Sequence, residues 1–574
     1  MLTEYGTKHA VHVITNHFGD LVAKVCECLL RKGPLTRQNI KRYTELSDEQ
    51  VKNALLVLIQ QNCVQAFTTQ QPDGFADGPK ANTQYVVLFD NILHRVRFAK
   101  FLTILSQEFD QQCVELVQGL LEHGRLTLKQ MFDRAKSSEK EGNLVDLDSV
   151  RETLVKLVTA HYVERCPASE PLLMPISEEE GPARKKGSKS AKEQEQQSFT
   201  YVDVFCNYVL IRDQSARAIF FFCLSYNNRA NYLMKISRAK IGEPETIEQQ
   251  VVEAALPMEA MRFSVVTNVE SDVGEKEKNS NNVTPGEKRK HDVFDLDECG
   301  VADEQSVVYR ANFEEFIRRL RHKGCIDHVR AHLDDGAANV LSAMLQATSS
   351  VEKKVKTKNS VPLSLSSIYE EVIKSEAGRN MTLDHVRASL VQLGELSFVD
   401  ASSDSYSIDF EKIIEIAQNE EVESVVSKRY GRDAYRIFRL LSKSGRLLET
   451  DKISDTTFVE KKDAPKILYK LWKDGYLLME KLVVTGARQS QFLLWKVNRQ
   501  ILWKHVLDEM FHAALNLSLR VAYELDREKE LLNLPADKRT GPLQDRYNRI
   551  RKVRILLESS QMKLDDAILL FHDF

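Results

Sequence analysis

The sequence predicts a mainly α protein with small β-hairpins, in which one helical unit is used four times ahead of a pair of long helices. Three observations support this. An amphipathic stretch with apolar residues three and four apart runs into a short Gly/Pro-x-Leu or Gly-Arg-Leu step near residues 33, 124, 361 and 445. Each step leads to another amphipathic stretch that gives way to a β-branched or aromatic run. The tract 499–574 keeps alternating three- and four-residue apolar spacing and is broken only around Leu534-Pro535-Ala536. From step leucine to the following run the separations are 29, 37, 36 and 30 residues (35→64, 126→163, 363→399, 447→477), close enough for one module in four copies. A helix-turn-helix closed by a β-hairpin is a winged helix. The expected architecture is therefore four tandem winged-helix domains plus a C-terminal helical hairpin or coiled coil.

In the first copy the opening helix is Leu21–Leu30 and the step Gly33-Pro34-Leu35-Thr36. Ser47 and Gln50 stand at the two positions of a capping box, ahead of a third helix through Ala54–Ile59 in which at least two of Leu55, Leu56 and Leu58 should be core. Strands at Cys63–Phe67 and Tyr85–Leu88 form the hairpin, with Thr68–Ala81 as a long tip. Copy two has the step Gly124-Arg125-Leu126-Thr127, a third helix Asp148–Ala160 and a strand His161–Cys166, with the tract after Cys166 as an oversized wing. Copy three has Val361-Pro362-Leu363-Ser364, a third helix Thr382–Leu393, and strands at Leu396–Val399 and Tyr406–Ile408. Copy four has an opening helix Ala434–Leu441, the step Gly445-Arg446-Leu447-Leu448, a third helix Asp463–Lys473 and a hairpin of Tyr476–Val484 and Phe492–Val497. In the last tract Trp503, Val506, Met510, Ala513 and Leu517 should face Leu543, Tyr547, Ile550, Leu557, Leu564, Ile568 and Phe571. The uneven spacing of the copies argues against a solenoid.

Composition limits the function classes. The chain has 574 residues, of which 43% are hydrophobic, enough for several separate cores. Its 80 Lys+Arg against 83 Asp+Glu leave a net charge of −3, which excludes a globally basic binder, so any nucleic-acid surface must be local. The longest apolar run, Ala218–Leu224, is far short of the ~20 residues of a membrane span. Met1–Asp20 lacks the layout of a secretory signal, and a soluble intracellular protein is expected. Nine scattered cysteines without a C-x-x-C pair indicate neither a disulfide framework nor a zinc ribbon. Pro171–Gln197 and Val269–Glu304 are too polar to offset ordering entropy, and Tyr201–Arg262 between them fits neither helical nor strand periodicity.

Motifs for catalysis are missing: there is no G-x-G-x-x-G, G-x-S-x-G or H-E-x-x-H. Gly181–Lys189 has the wrong spacing for a phosphate loop. His9 with His12 and His328 with His332 could each share a helix face, but neither pair has a third ligand at metal spacing, so no metal and no cofactor are expected. Basic residues are the informative chemistry. Residues 421–500 hold 17 Lys+Arg and 10 Asp+Glu, a local +7. Lys461, Lys462, Lys466, Lys470 and Lys473 lie on or just before the fourth copy's third helix, opposite Ile467, Leu468, Leu471 and Trp472. Such a row is either a phosphate-binding surface or a solvated helix face. Further candidates for DNA contact are Arg37, Lys41, Arg42 and Lys52 in copy one and Arg125 and Lys129 in copy two. No third helix carries the Arg/Asn/Gln cluster of strong base readout.

Three segments give a family resemblance. They are Tyr5-Gly6, Ala10-Val11, Val13-Ile14, Asn16 and Phe18-Gly19-Asp20; Val308-Tyr309-Arg310-Ala311-Asn312-Phe313-Glu314-Glu315-Phe316; and Glu423-Ser424-Val425-Val426 with Arg429-Tyr430-Gly431 and Arg436–Leu440. Together with the tandem winged helices and paired-helix tail, over about 1–165 and 306–574, they resemble the large winged-helix subunit of the RNA polymerase III-specific heterotrimer, which is akin to the alpha chain of transcription factor IIE. The region 200–305 departs from that pattern. The resemblance implies a nuclear, non-catalytic subunit that sits on the clamp of the largest polymerase subunit with two heterotrimer partners. It also implies contacts with promoter DNA, including melted DNA, and help with initiation on small RNA genes. A stand-alone winged-helix DNA-binding regulator and a winged-helix scaffold of another large complex are the alternatives. The expected domains are 1–95, 96–170, 306–415 and 416–498 as winged helices, 171–305 as a largely disordered linker, and 499–574 as the helical hairpin.

Overall fold

The computed structural model describes residues 3–70, 81–137, 146–173, 246–265, 307–348, 357–402, 405–484, 490–535 and 538–574. The chain divides into two compact units: Met1–Phe67 with Thr83–Pro171 and Ala255–Phe574, and Thr68–Asn82 with Leu172–Ala254.

In chain order the first unit opens with α1 (Glu4–Phe18), α2 (Asp20–Lys32), α3 (Arg37–Thr44) and α4 (Asp48–Gln60), followed by strands β1 (Val64–Gln70) and β2 (Ala81–Val87) that extend into the second unit. The capping box forms as its residues predict: the Gln50 amide donates to Ser47 Oγ at 3.2 Å and the Ser47 amide to Gln50 Oε1 at 3.0 Å. Next come α5 (Phe89–His94), a 3-10 turn at Arg95–Arg97, α6 (Phe98–Glu108), α7 (Gln111–His123), β3 (Leu126–Thr127), α8 (Leu128–Ser137), α9 (Leu147–Thr159) and β4 (Val163–Arg165). In the second unit, β5 (Leu172–Leu173) pairs in parallel with Thr68 and Thr69 of β1. That unit also supplies most of α10 (Ile247–Ala255), on which Val251 is buried.

The first unit resumes with α11 (Glu259–Arg262), β6 (Val308–Ala311), α12 (Phe313–His332), α13 (Asp335–Thr348), α14 (Leu365–Lys374), α15 (Leu383–Glu395), β7 (Val399–Ser402) and β8 (Ser405–Ile408). Then follow α16 (Phe410–Tyr430), α17 (Arg432–Ser444), β9 (Leu448–Glu449), α18 (Thr450–Thr457), α19 (Ala464–Lys473), β10 (Leu478–Val484) and β11 (Ser490–Lys496). The chain ends with α20 (Arg499–Arg527), α21 (Lys529–Leu532) and α22 (Pro542–His572). Helices α20 and α22 pack along each other. Of the expected seam on α20, Val506 and Met510 are buried, but Ala513 is exposed, and Leu507, Phe511 and Ala514 are buried beside them.

Two local devices recur at equivalent places. Helices α4, α9, α15 and α19 each end with a residue of positive φ, namely Asn62 (56°), His161 (65°), Ser397 (57°) and Gly475 (85°). The next amide bonds back to a carbonyl five residues earlier: Cys63 to Leu58, Tyr162 to Leu157, Phe398 to Leu393 and Tyr476 to Leu471, at 2.8–2.9 Å. This Schellman-type ending satisfies orphan carbonyls and turns the first hairpin residue into the core, where all four are buried. The second device is a backbone pairing of each step leucine with an aromatic residue of the return strand, as an isolated bridge for Leu35 with Tyr85 and Leu363 with Tyr406 and through a two-residue strand for Leu126 with Tyr309 and Leu448 with Trp495. In the fourth copy the paired leucine is therefore Leu448, not Leu447.

The register of β6 corrects a domain boundary. Val308–Ala311 pairs with β3 (Leu126↔Tyr309) and β4 (Val163↔Ala311), so the stretch placed at the start of the 306–415 domain closes copy two. In sequence, the tract after Cys166 lies between β4 and β6. Within the expected 171–305 linker, and within the unplaced Tyr201–Arg262, residues 247–255 and 259–262 are helical, and Phe263 packs against the core of copy two. The Ala218–Leu224 run, Gly181–Lys189, and the basic tracts 183–197 and 288–291 lie outside the described residues. Among the described residues, Cys26, Cys28, Cys63, Cys113, Cys166 and Cys325 are free thiols.

Among the described residues three apolar cores result. One combines copy one, copy four and the paired helices, joining Leu55 and Leu58 with Phe438, Leu468, Trp495, Met510 and Phe511. A second holds copy two with Phe316 and Ile317 of α12, and a third holds copy three with Cys325 and Val329 of the same helix. The last turns of α22 reach all of them: Ile568 enters the first, Leu569 the second, and Leu570 packs on the third. Beside these residues Arg97, 0% exposed, contacts Asp565 Oδ1 at 3.0 Å and Asp573 Oδ2 at 2.7 Å, and Lys100 pairs with Asp565 and Asp566. Burial alone would raise the Asp565 carboxyl, but Arg97 and Lys100 outweigh it and hold it below the usual carboxylate range. His94 accepts from Arg97 (3.2 Å); burial and that cation push it down to about 4, so it stays neutral.

Copies one and two are joined by hydrogen bonds from the end of α4. Gln60 donates to the His123 and Arg125 carbonyls, Gln61 to Glu122 and Asn62 to Gly124. Gly124 sits at φ +80°, and a Cβ there would lie 2.0 Å from the Gln60 carbonyl oxygen.

Candidate nucleic-acid interface

The fourth copy presents the basic helix. Pro465 near its start suits the first turn of α19, where an amide partner is absent anyway. Ala464, Leu468 and Leu471 are buried, with Ile467 and Trp472 packed at the edge of the same core, which turns Lys466, Lys470 and Lys473 outward beside exposed Tyr469. Lys461 and Lys462 are exposed in the turn before it. Three of the five lysines already have partners: Lys461 with Asp455 (3.3 Å), Lys462 with Glu460 (2.7 Å) and Lys466 with Asp463 (2.9 Å). Lys466 and burial act oppositely on Asp463, and the lysine wins, lowering that carboxyl. Lys470 Nζ lies 5.2 Å from the centre of the Tyr430 ring. Five lysines minus three paired carboxylates leave +2, so the row is less positive than its sequence suggests. Such exposed pairs are worth about 0–1 kcal/mol, however, and phosphates can replace the carboxylates at little cost.

Periodicity gave no sign of Phe458. It ends α18 in the turn before the lysine helix, at φ +55° and 90% exposed. A bulky aromatic in the left-handed region, held in water, is costly for folding and is well placed for a partner. Its neighbour Val459, which is buried, makes the pair read as an ordinary apolar step in a helix-turn-helix turn. Behind the row, Arg429 donates to Glu509 (2.7 Å) and to the Tyr476 hydroxyl (3.2 Å), while Tyr430 donates to Asp474 (2.7 Å). These bonds tie α16 and α20 to the fourth copy, a structural role for Arg429 and Tyr430.

The other candidates are less uniform. Lys41, Arg42, Lys52 and Lys129 are exposed, and Arg37 is exposed with Asp48 at 3.4 Å. Arg125 is not on an open face: its Nε donates to Asn62 Oδ1 at 2.8 Å in the joint between copies one and two. The step position put Arg125 among the DNA candidates, but the joint, invisible in the sequence, takes it.

The histidine pairs also behave differently from one another. His9 is buried, and desolvation, reinforced by His12, pushes it down to about 4. His328 and His332 meet Glu420, which α16 brings from 88 residues away, with His332 Nε2 at 2.8 Å from Glu420 Oε1. No third ligand for this pair is near in the chain, which is why its spacing alone does not point to a metal.

Comparison with known families gives three matches. Residues 8–69 match the RNA polymerase III subunit RPC82 helix-turn-helix domain, 234–440 match RNA polymerase III subunit RPC82, and 422–497 match the POLR3C C-terminal winged-helix domain. The second match begins inside the region that the motif reading set apart, so 234–305 belongs to the family pattern at least in its sequence. The chain is similar to DNA-directed RNA polymerase III subunit RPC3 of Homo sapiens, 22% identical over 545 residues, covering 92% of this chain and 86% of that protein. It is also similar to the subunits of the same name from Danio rerio (23% over 530 residues, 91% and 84%) and Dictyostelium discoideum (21% over 674 residues, 99% and 100%).

Proposed function

Because the chain belongs to the RPC82/RPC3 family of RNA polymerase III subunits, whose members are non-catalytic, we propose that it assists promoter DNA binding and opening at small RNA genes. Other subunits of that polymerase are its partners. In this reading two of them complete a heterotrimer with it, the clamp of the largest subunit carries it, and the nucleus is where it works. The four helix-turn-helix segments are taken as four winged-helix modules that offer separate faces to protein and DNA.

The observation that carries the proposal is the fourth copy's outer face, where a lysine row follows an aromatic residue held out in water. Lysines supply phosphate contacts with little sequence preference, and an exposed ring supplies a stacking platform for an unpaired base. Many weak contacts of this kind shift the closed-to-open equilibrium if they favour melted DNA, with no covalent step required. A stand-alone sequence reader is a poorer fit, since α19 carries no Arg, Asn or Gln for base edges.

The test replaces Lys462, Lys466, Lys470 and Lys473 by Glu in the assembled polymerase. Subunit assembly should be intact, open promoter complexes should be less stable, and the slope of log affinity against log salt should flatten by about 2–4 units. Phe458→Ala should weaken single-strand binding by about 1–3 kcal/mol and leave duplex binding unchanged. Unaltered initiation in the quadruple variant would remove the DNA role from this face.

A further inference from the structure

The cluster of His328, His332 and Glu420 has the composition and support of a metal site. One ligand atom from each residue lies within 4.8 Å of the other two. Both histidines stand one helical turn apart on α12, with ring centres 4.2 Å apart, and the glutamate projects from α16. Three features argue for more than a surface ion pair. His332 Nδ1 lies 2.9 Å from the His328 main-chain carbonyl, which can only accept, so Nδ1 carries the proton and Nε2 is turned toward Glu420. A backbone carbonyl bound to the far nitrogen is the usual way a metal-binding imidazole is oriented. At 2.8 Å from a carboxylate oxygen, Nε2 needs a positive charge between them, and either a second proton or a cation supplies it. His328 enters the same group without a satisfied ring atom: Nε2 is buried with no hydrogen-bond partner among the described residues, and Nδ1 is 4.0 Å from Glu420 Oε2, beyond hydrogen-bond reach.

We propose that His328, His332 and Glu420 bind a divalent transition cation of the zinc class, with water in the remaining position. Two imidazoles and one carboxylate are a borderline-soft set that suits zinc, and three protein ligands leave one tetrahedral corner open. Ligand atoms around one zinc lie about 3.3 Å apart, given bonds of about 2.0–2.1 Å. The observed separations, 2.8 Å from His332 Nε2 to Glu420 Oε1 and 4.0 Å from His328 Nδ1 to Glu420 Oε2, run to different carboxylate oxygens, so side-chain rotation is needed to gather the three ligand atoms, which lie within 4.8 Å of one another, around one ion. A cavity of about 720 Å³ lined by His328, Glu420 and Glu421 gives water and ion access. Bound there, the cation would staple α12 to α16.

The experiment uses the purified full chain, stripped with chelator and titrated with Zn(II) against a chromophoric competitor. Native chain should take up one zinc that Glu420→Gln and His332→Gln each weaken at least about tenfold. Its thermal midpoint should rise with zinc, and the variants' should not. Co(II) added to native chain should give d–d absorption without a thiolate charge-transfer band, a readout that needs no variant to fold. Absence of zinc uptake, uptake unchanged in both variants, or a thiolate band would overturn the site and leave a proton-bridged His332–Glu420 pair.

Discussion

Replacing Arg97 by Met removes the cation that two buried carboxylates share while keeping most of the side-chain volume. Arg97 is fully buried, with Asp565 at 3.0 Å and Asp573 at 2.7 Å. Each pair contributes about 4 kcal/mol of attraction at an effective dielectric of ~20, much of it offset by desolvation. Breaking a buried pair from one side costs about 3–5 kcal/mol, because the charges left behind stay desolvated. Lys100, 2.6 Å from Asp565, remains and limits the loss on that side. For a cooperative unit of ~150–250 residues the thermal midpoint should fall on the order of 10 °C. The pH dependence follows from the sign of the shift. Asp565 is held below its unfolded pKa, so its stabilisation is present above about pH 4 and is lost as pH falls through the folded value. Without Arg97 the desolvation that now opposes the shift gains weight, and protonating the carboxyl relieves the variant. The gap between native and variant proteins, followed by circular dichroism melts between pH 7.5 and pH 5, should therefore narrow on acidification. A loss below about 1 kcal/mol, or a gap that widens in acid, would refute the reasoning.

Four further substitutions test the packing. Leu55→Ala and Leu58→Ala, at residues 3% and 0% exposed, should each cost about 2–5 kcal/mol in urea titrations, whereas Leu56→Ala, at 55% exposed, should be nearly neutral. Gly124→Ala places a Cβ 2.0 Å from the Gln60 carbonyl at a positive φ, so limited proteolysis should find the joint between copies one and two opened. Unchanged cleavage would mean that the joint is not as tight as drawn.

Much of the fold was legible because its signals are local. Ser47 and Gln50 sit three residues apart, and the third helices end within two residues of their expected limits because a Schellman ending needs only a few consecutive residues. What escaped was long-range. Tyr309 pairs with Leu126 across the oversized wing, so β6 was assigned to the wrong module. Asp565 and Asp573 meet Arg97 from the far end of the chain, and Glu420 meets two histidines from another helix. Ala513 differs for another reason: a seam followed at heptad spacing drifts over a helix as long as α20, so Val506 and Met510 are buried as expected while Ala514, not Ala513, continues the face. For the candidate interface, composition marked the lysine row but neither its carboxylate partners nor the exposure of Phe458, since both depend on how a turn folds back.

The central claim, that this chain works inside a transcribing machine and not alone, is tested most directly by its stoichiometric companions. A tagged full chain recovered from nuclear extract should bring the two largest RNA polymerase III subunits and two smaller partners in equal amounts, stable to moderate salt. Recovery of the chain by itself, or with a complex lacking that polymerase's subunits, would contradict it.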